Sequence, residues 1–126
     1  MRIDHLTIVV GSLAVSGPYY AALLSLLGWH EIRAGVWTDG DGMFLQFREA
    51  APGTRPYERY GAGLNHLGFA APDVAAVLAV RDGMQARGFA APEVQHLDGA
   101  VALFMKDPDG LRFEVTAYPP GAAPVD

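Results

Sequence analysis

The feature that most constrains this chain is an internal duplication. Asp4-His5-Leu6-Thr7-Ile8-Val9-Val10-Gly11-Ser12 and Asn65-His66-Leu67-Gly68-Phe69-Ala70-Ala71-Pro72-Asp73 follow one grammar, with the two histidines 61 residues apart. Each copy runs polar residue, His, Leu, apolar stretch, breaker, helix-capping residue. Gly28-Trp29 returns as Gly88-Phe89, 60 residues on, and Asp41-Gly42-Met43-Phe44-Leu45-Gln46 returns as Asp109-Gly110-Leu111-Arg112-Phe113-Glu114, 68 residues on. A repeat sought before anything else decides the architecture. Two copies are too few for a solenoid, so the halves must share a core.

At 126 residues the chain is one compact domain or two small, mutually dependent modules. The net charge of −5 argues against a nucleic-acid partner, which needs a basic face to neutralise phosphates. No apolar run approaches the ~18 residues of a membrane span, and the first residues start a strand rather than a signal peptide. The absence of cysteine excludes disulfides and thiolate metal sites and fits a cytoplasmic protein. Any metal must therefore be held by imidazole, carboxylate or amide oxygen.

Alternation and punctuation predict β-α-β-β-β twice. Ile3–Val10 reads as a strand. Ser16 as N-cap and Pro18 just inside the first turn predict the start of a helix, and Gly28 its end. Strands follow near 29–33, 36–38 and 43–48, the last preceded by the turn Asp39-Gly40-Asp41-Gly42. Residues 50–63, which include Arg55, Tyr57, Arg59 and Tyr60, read as a surface connector. In the second half, 64–71 is a strand, Asp73 caps a helix to about Arg87, and strands follow near 93–97, 101–105 and 111–117. Asp107-Pro108-Asp109-Gly110 makes a hairpin turn. The expected division is module 1 over about 1–49, module 2 over about 64–118, and a flexible tail over 119–126.

Side chains alternate across a strand. The apolar sets (Leu6 and Ile8, Leu67 and Phe69, Leu45 and Phe47, Phe113 and Val115) suit packing beneath helices. The opposite faces carry His5, Gln46, His66 and Glu114 at repeat-matched positions. A histidine at a strand start is ordinarily a surface residue, and Gln46 or Glu114 alone would be an ordinary solvated one. Recurrence of all of them in register predicts an N/O site suited to Ni, Co, Zn, Mn or Fe.

These residues carry a resemblance. Asp4-His5-Leu6, Asn65-His66-Leu67-Gly68-Phe69 and Asp107-Pro108-Asp109-Gly110-Leu111-Arg112-Phe113-Glu114 make the chain similar to the vicinal oxygen chelate superfamily over residues 1 to about 118. That superfamily includes glyoxalase I, bleomycin-resistance proteins, extradiol dioxygenases, fosfomycin-resistance enzymes and methylmalonyl-CoA epimerase. The resemblance implies an α+β fold of two tandem βαβββ modules forming a U-shaped, mostly antiparallel sheet cup, often in a homodimer. It also implies a divalent metal on His5, Gln46, His66 and Glu114, with Glu114 as the catalytic base, and chemistry through an enediolate-type intermediate of a small oxygenated substrate.

The His/Gln/His/Glu set resembles the epimerase pattern, whereas bacterial glyoxalase I usually has Glu where Gln46 stands. Extradiol dioxygenases match in His5, His66 and Glu114, but Phe104 stands where they tend to carry a tyrosine. Trp37, Phe44, Arg48, Phe104 and Arg112 are the expected substrate contacts, while His30 and His96 lack repeat partners and read as surface residues. The expected function is a metal-dependent isomerase, lyase or epimerase. The alternatives are a metal-free ligand-binding protein of bleomycin-resistance type and an extradiol-type dioxygenase.

Overall fold

A computed structural model describes residues 1–124; the end of the expected flexible tail, residues 125–126, lies outside the described residues. The elements follow β1 (His5–Val10), α1 (Leu13–Leu26), β2 (His30–Arg33), β3 (Val36–Thr38), β4 (Phe44–Glu49), β5 (His66–Ala70), α2 (Val74–Ala86), β6 (Gln95–Leu97), β7 (Ala100–Lys106) and β8 (Arg112–Ala117). Two four-stranded sheets result, ordered β1-β4-β3-β2 and β5-β8-β7-β6. In each, the first and last strands pair parallel and the other neighbours antiparallel. This is an α+β fold of tandem βαβββ modules. Contacts divide the chain into Met1–Tyr57 with Asp107–Asp109, and Glu58–Lys106 with Gly110–Asp126.

The duplication reaches the helix ends. The Gly28 N–H bonds to the Ser25 carbonyl and the Trp29 N–H to Leu24, while the Gly88 N–H bonds to Gln85 and the Phe89 N–H to Met84. Both glycines have φ +82. This paired arrangement closes a helix through a left-handed residue, which only glycine adopts cheaply. At the other end, Asp73 caps α2 as expected, accepting from the Ala76 N–H. The start of α1 differs from expectation. Ser12 is the N-cap, its hydroxyl accepting from the Val15 N–H, and Pro18 lies inside the helix. Ser16 is buried within α1 and caps nothing.

Each sheet buries one face under its own helix. In the first unit Val10, Leu45, Trp37 and Phe47 pack with Tyr20, Leu23 and Leu24. In the second, Leu103, Met105, Phe113 and Val115 pack with Val77, Val80 and Met84. Burying each such side chain contributes about 1.5–3 kcal/mol, so the apolar pattern fixes which face turns away from the helix. In the turn before β4, Asp39 Oδ1 accepts from the N–H groups of Asp41 and Met43 at 2.7 and 3.0 Å. Those bonds hold the Asp39 carboxyl below its usual range.

Candidate functional site

Strand register settles which candidates share a face. In the first unit His5 pairs with Phe44, Thr7 with Gln46, Val9 with Arg48, and Thr38 with Phe44. In the second, His66 pairs with Arg112, Gly68 with Glu114, and Lys106 with Arg112. The two registers superimpose: His5 and Gln46 hold the places of His66 and Glu114. Phe44 and Arg48 lie on the face of Gln46, and Phe104 and Arg112 on the face of Glu114. Trp37 pairs with Leu45 and is 7% exposed, on the helix-covered face opposite Gln46. His30 and His96 are exposed.

The second unit brings two donors together. His66 Nε2 lies 3.7 Å from Glu114 Oε2. Two ligands at ordinary metal distances on a tetrahedral cation stand roughly 3.4 Å apart, so this spacing fits a shared cation. The Asn65 amide nitrogen donates to the Arg59 carbonyl at 3.0 Å, which turns Asn65 Oδ1 toward His66 Nδ1 at 2.7 Å. Oδ1 can only accept, so Nδ1 donates that bond and Nε2 is the ring nitrogen that faces Glu114. Glu114 is 5% exposed. Its Oε1 accepts from the hydroxyls of Thr116 (2.6 Å) and Tyr118 (3.3 Å), leaving Oε2 directed at the imidazole. A cavity of about 270 Å³ opens here, lined by His66, Gly68, Glu114 and Tyr118. A Cβ on Gly68 would meet nothing within 4 Å, so the space opposite Glu114 stays open.

The first unit repeats the histidine device. His5 Nδ1 lies 2.8 Å from Asp4 Oδ1, and its hydrogen bond and charge hold the Asp4 carboxyl below its usual range. Gln46 lies half-buried on the same face. Among the described residues, no three His, Cys, Asp or Glu side chains are gathered closely enough to form a metal-binding group.

Sequence reasoning missed three contributors. Thr116 and Tyr118 follow Glu114 at intervals of two, so strand parity alone places them beside its carboxylate. Asn65 is the polar residue preceding His66 in the repeat, matched by Asp4, and its orienting role was legible in that position.

Residues 2–115 match the Glyoxalase/Bleomycin resistance protein/Dioxygenase superfamily, and the chain belongs to that superfamily. Among solved structures it is similar to a glyoxylase/bleomycin resistance protein/dioxygenase domain from Frankia sp. EAN1pec, with TM-score 0.81 and 21% identity over 97% of this chain and 95% of that one. It is also similar to a glyoxalase/bleomycin resistance protein from Albidiferax ferrireducens T118, with TM-score 0.71 and 21% identity over 93% and 98% of the two chains. The fosfomycin resistance protein FosX from Listeria monocytogenes matches with TM-score 0.70 and 15% identity, covering 95% of each chain. These likenesses establish the fold. No curated protein sequence matches the chain. Among the described residues no helix is long and apolar enough to cross a membrane.

Proposed function

We propose that the protein is a divalent-metal-dependent isomerase, lyase or epimerase acting on a small oxygenated substrate, with His5, Gln46, His66 and Glu114 as the metal donors. The observation that carries this reading is the 3.7 Å approach of His66 Nε2 to Glu114 Oε2. Asn65, Thr116 and Tyr118 occupy the other polar atoms of that pair. His5, held at Nδ1 by Asp4, has the same preparation, and Gln46 adds an amide oxygen on its face. When bound, a Ni, Co, Zn, Mn or Fe ion supplies Lewis acidity toward adjacent substrate oxygens.

Glu114 is also the proposed base. Its carboxylate would take a proton from the substrate carbon and return it, with Oε1 anchored by the hydroxyls of Thr116 and Tyr118. Phe44, Arg48, Phe104 and Arg112 border the two donor pairs as substrate contacts. A homodimer belongs to the same proposal, following the arrangement common in the superfamily.

The competing reading is a metal-free ligand-binding protein, and the absence of a three-residue donor cluster among the described residues favours it. Metal analysis of protein purified without chelator, followed by thermal shifts with each of the five cations, separates the two. A hundredfold excess over Kd should raise the melting temperature by roughly 5–10 °C. His66→Ala and His5→Ala should each abolish that rise; a rise persisting in both variants refutes the reading.

A further inference from the structure

Lys106 and Arg112 stand directly opposite each other on β7 and β8, and His66 is the neighbour of Arg112 on β5. Three adjacent strands therefore set an ammonium, a guanidinium and an imidazole in one row, on the face that carries Glu114. Like charges directly opposite on antiparallel strands destabilise a sheet by about 0.2–1 kcal/mol. The fold does not require them, because the matching pair of the first unit is Thr38 and Phe44. Lys106 is moreover the only lysine in a chain of net charge −5.

No carboxylate among the described residues pairs with either cation. The acids of the adjoining turn are engaged elsewhere: Asp107 with the Tyr20 hydroxyl and the Asp109 N–H, and Asp109 with the Gly11 N–H. Arg112 is laid over the Phe104 ring, its guanidinium carbon 4.9 Å from the centroid, which restricts where the fork points. Beside the pair lies a cavity of about 330 Å³ bordered by Gln95, Phe104, Lys106 and Arg112.

We infer that Lys106 and Arg112, with the Gln95 amide, form a subsite for the oxyanion of a small-molecule ligand, a carboxylate or a phosphate-type group. Arg112 supplies paired donors and Lys106 a point charge, the two complementary ways side chains hold oxyanions. Phe104 acts as a positioning residue beneath Arg112. With strands about 4.8 Å apart, an anion midway between the two cations sits roughly 7 Å along the row from His66. That distance suits a ligand whose oxyanion is a few bonds from its reacting oxygens. The chain's acidic surplus does not oppose this, since charges beyond ~8 Å are screened at physiological salt. The link from anion subsite to substrate rests on the function proposed above; the subsite itself does not.

The test is an NMR titration of the whole chain in the presence of chelator, using inorganic phosphate and acetate, each against sodium chloride at matched ionic strength. Saturable shifts centred on β7 and β8 are expected, and Lys106→Gln and Arg112→Gln should each weaken binding by about 10-fold or more. Tighter phosphate binding identifies a phosphate-type ligand and tighter acetate binding a carboxylate. No saturable shift with either anion, or unchanged affinity in both variants, overturns the inference. Anion binding without a metal-dependent thermal shift sinks only the metal reading, and the converse sinks only this one.

Discussion

The side chains that prepare the candidate ligands are the residues immediately before them. Asn65 and Asp4 each hold the Nδ1 of the following histidine, at 2.7 and 2.8 Å, and so determine what Nε2 presents. Their settings differ. The His66 side chain is 23% exposed, whereas those of His5 and Asp4 are 53% and 78% exposed, where solvent competes for the same bond. Asn65→Ala should therefore weaken cation binding by about 10- to 100-fold, the usual effect of removing such a support. Asp4→Ala should cost less. Calorimetric titration of both variants checks the ordering, and an equal or larger loss for Asp4→Ala would show that solvent exposure does not set the difference. The histidines, Gln46 and Glu114 were legible in the sequence as repeat-matched polar residues. The hydroxyls of Thr116 and Tyr118 share the face of Glu114 by strand parity, but the repeat does not mark them, because the matching positions of the first copy are Arg48 and Ala50.

At the scale of elements, the sequence was most legible where a local rule had one solution. Asp73 offers the only capping oxygen before α2, and Gly28 and Gly88 sit where a left-handed residue must end each helix. The start of α1 had two solutions. Ser16 with Pro18 satisfies the capping pattern, but so does Ser12, and the earlier cap wins although Pro18 then supplies no N–H to the preceding turn. Capping and proline preferences are each worth a few kcal/mol at most, and Tyr19, Tyr20 and Leu23 lie inside the helix whichever serine caps it. One trace of that compromise is Ser16 itself, 1% exposed, whose hydroxyl has no hydrogen-bond partner among the described residues. Ser16→Ala removes a buried unsatisfied group and improves helix propensity, so it should stabilise the protein by about 1 kcal/mol. Urea denaturation reads this directly; a loss of stability would mean that ordered water satisfies the hydroxyl.

For the molecule as a whole, the duplication supplied the architecture because it fixed element order, strand parity and register together. It could not supply the differences between copies, and in the function proposed here those differences carry the chemistry: Glu114 against Gln46, and Arg112 against Phe44. The same limit applies to Tyr20, which no pattern in the sequence joined to Asp107, 87 residues away. Burial, reinforced by the Asp107 carboxylate, raises the Tyr20 hydroxyl far above its usual range, and burial does the same to Tyr19. The sign of the pH dependence follows. An unfolded tyrosine ionises near pH 10 while these two stay protonated in the folded chain, so their contribution is intact below about pH 10 and is lost as pH rises beyond it. Each tyrosine can remove up to about 1.4 kcal/mol per pH unit in that window. Tyr20→Phe should flatten the alkaline decline of stability by one tyrosine's share. It should also lower stability at pH 7 by about 1–3 kcal/mol, because Asp107 is 5% exposed and loses a donor. Denaturation curves at pH 7, 10 and 11 for both proteins test the pair of effects, and an alkaline slope unchanged by the substitution would show that Tyr20 ionises in the folded state.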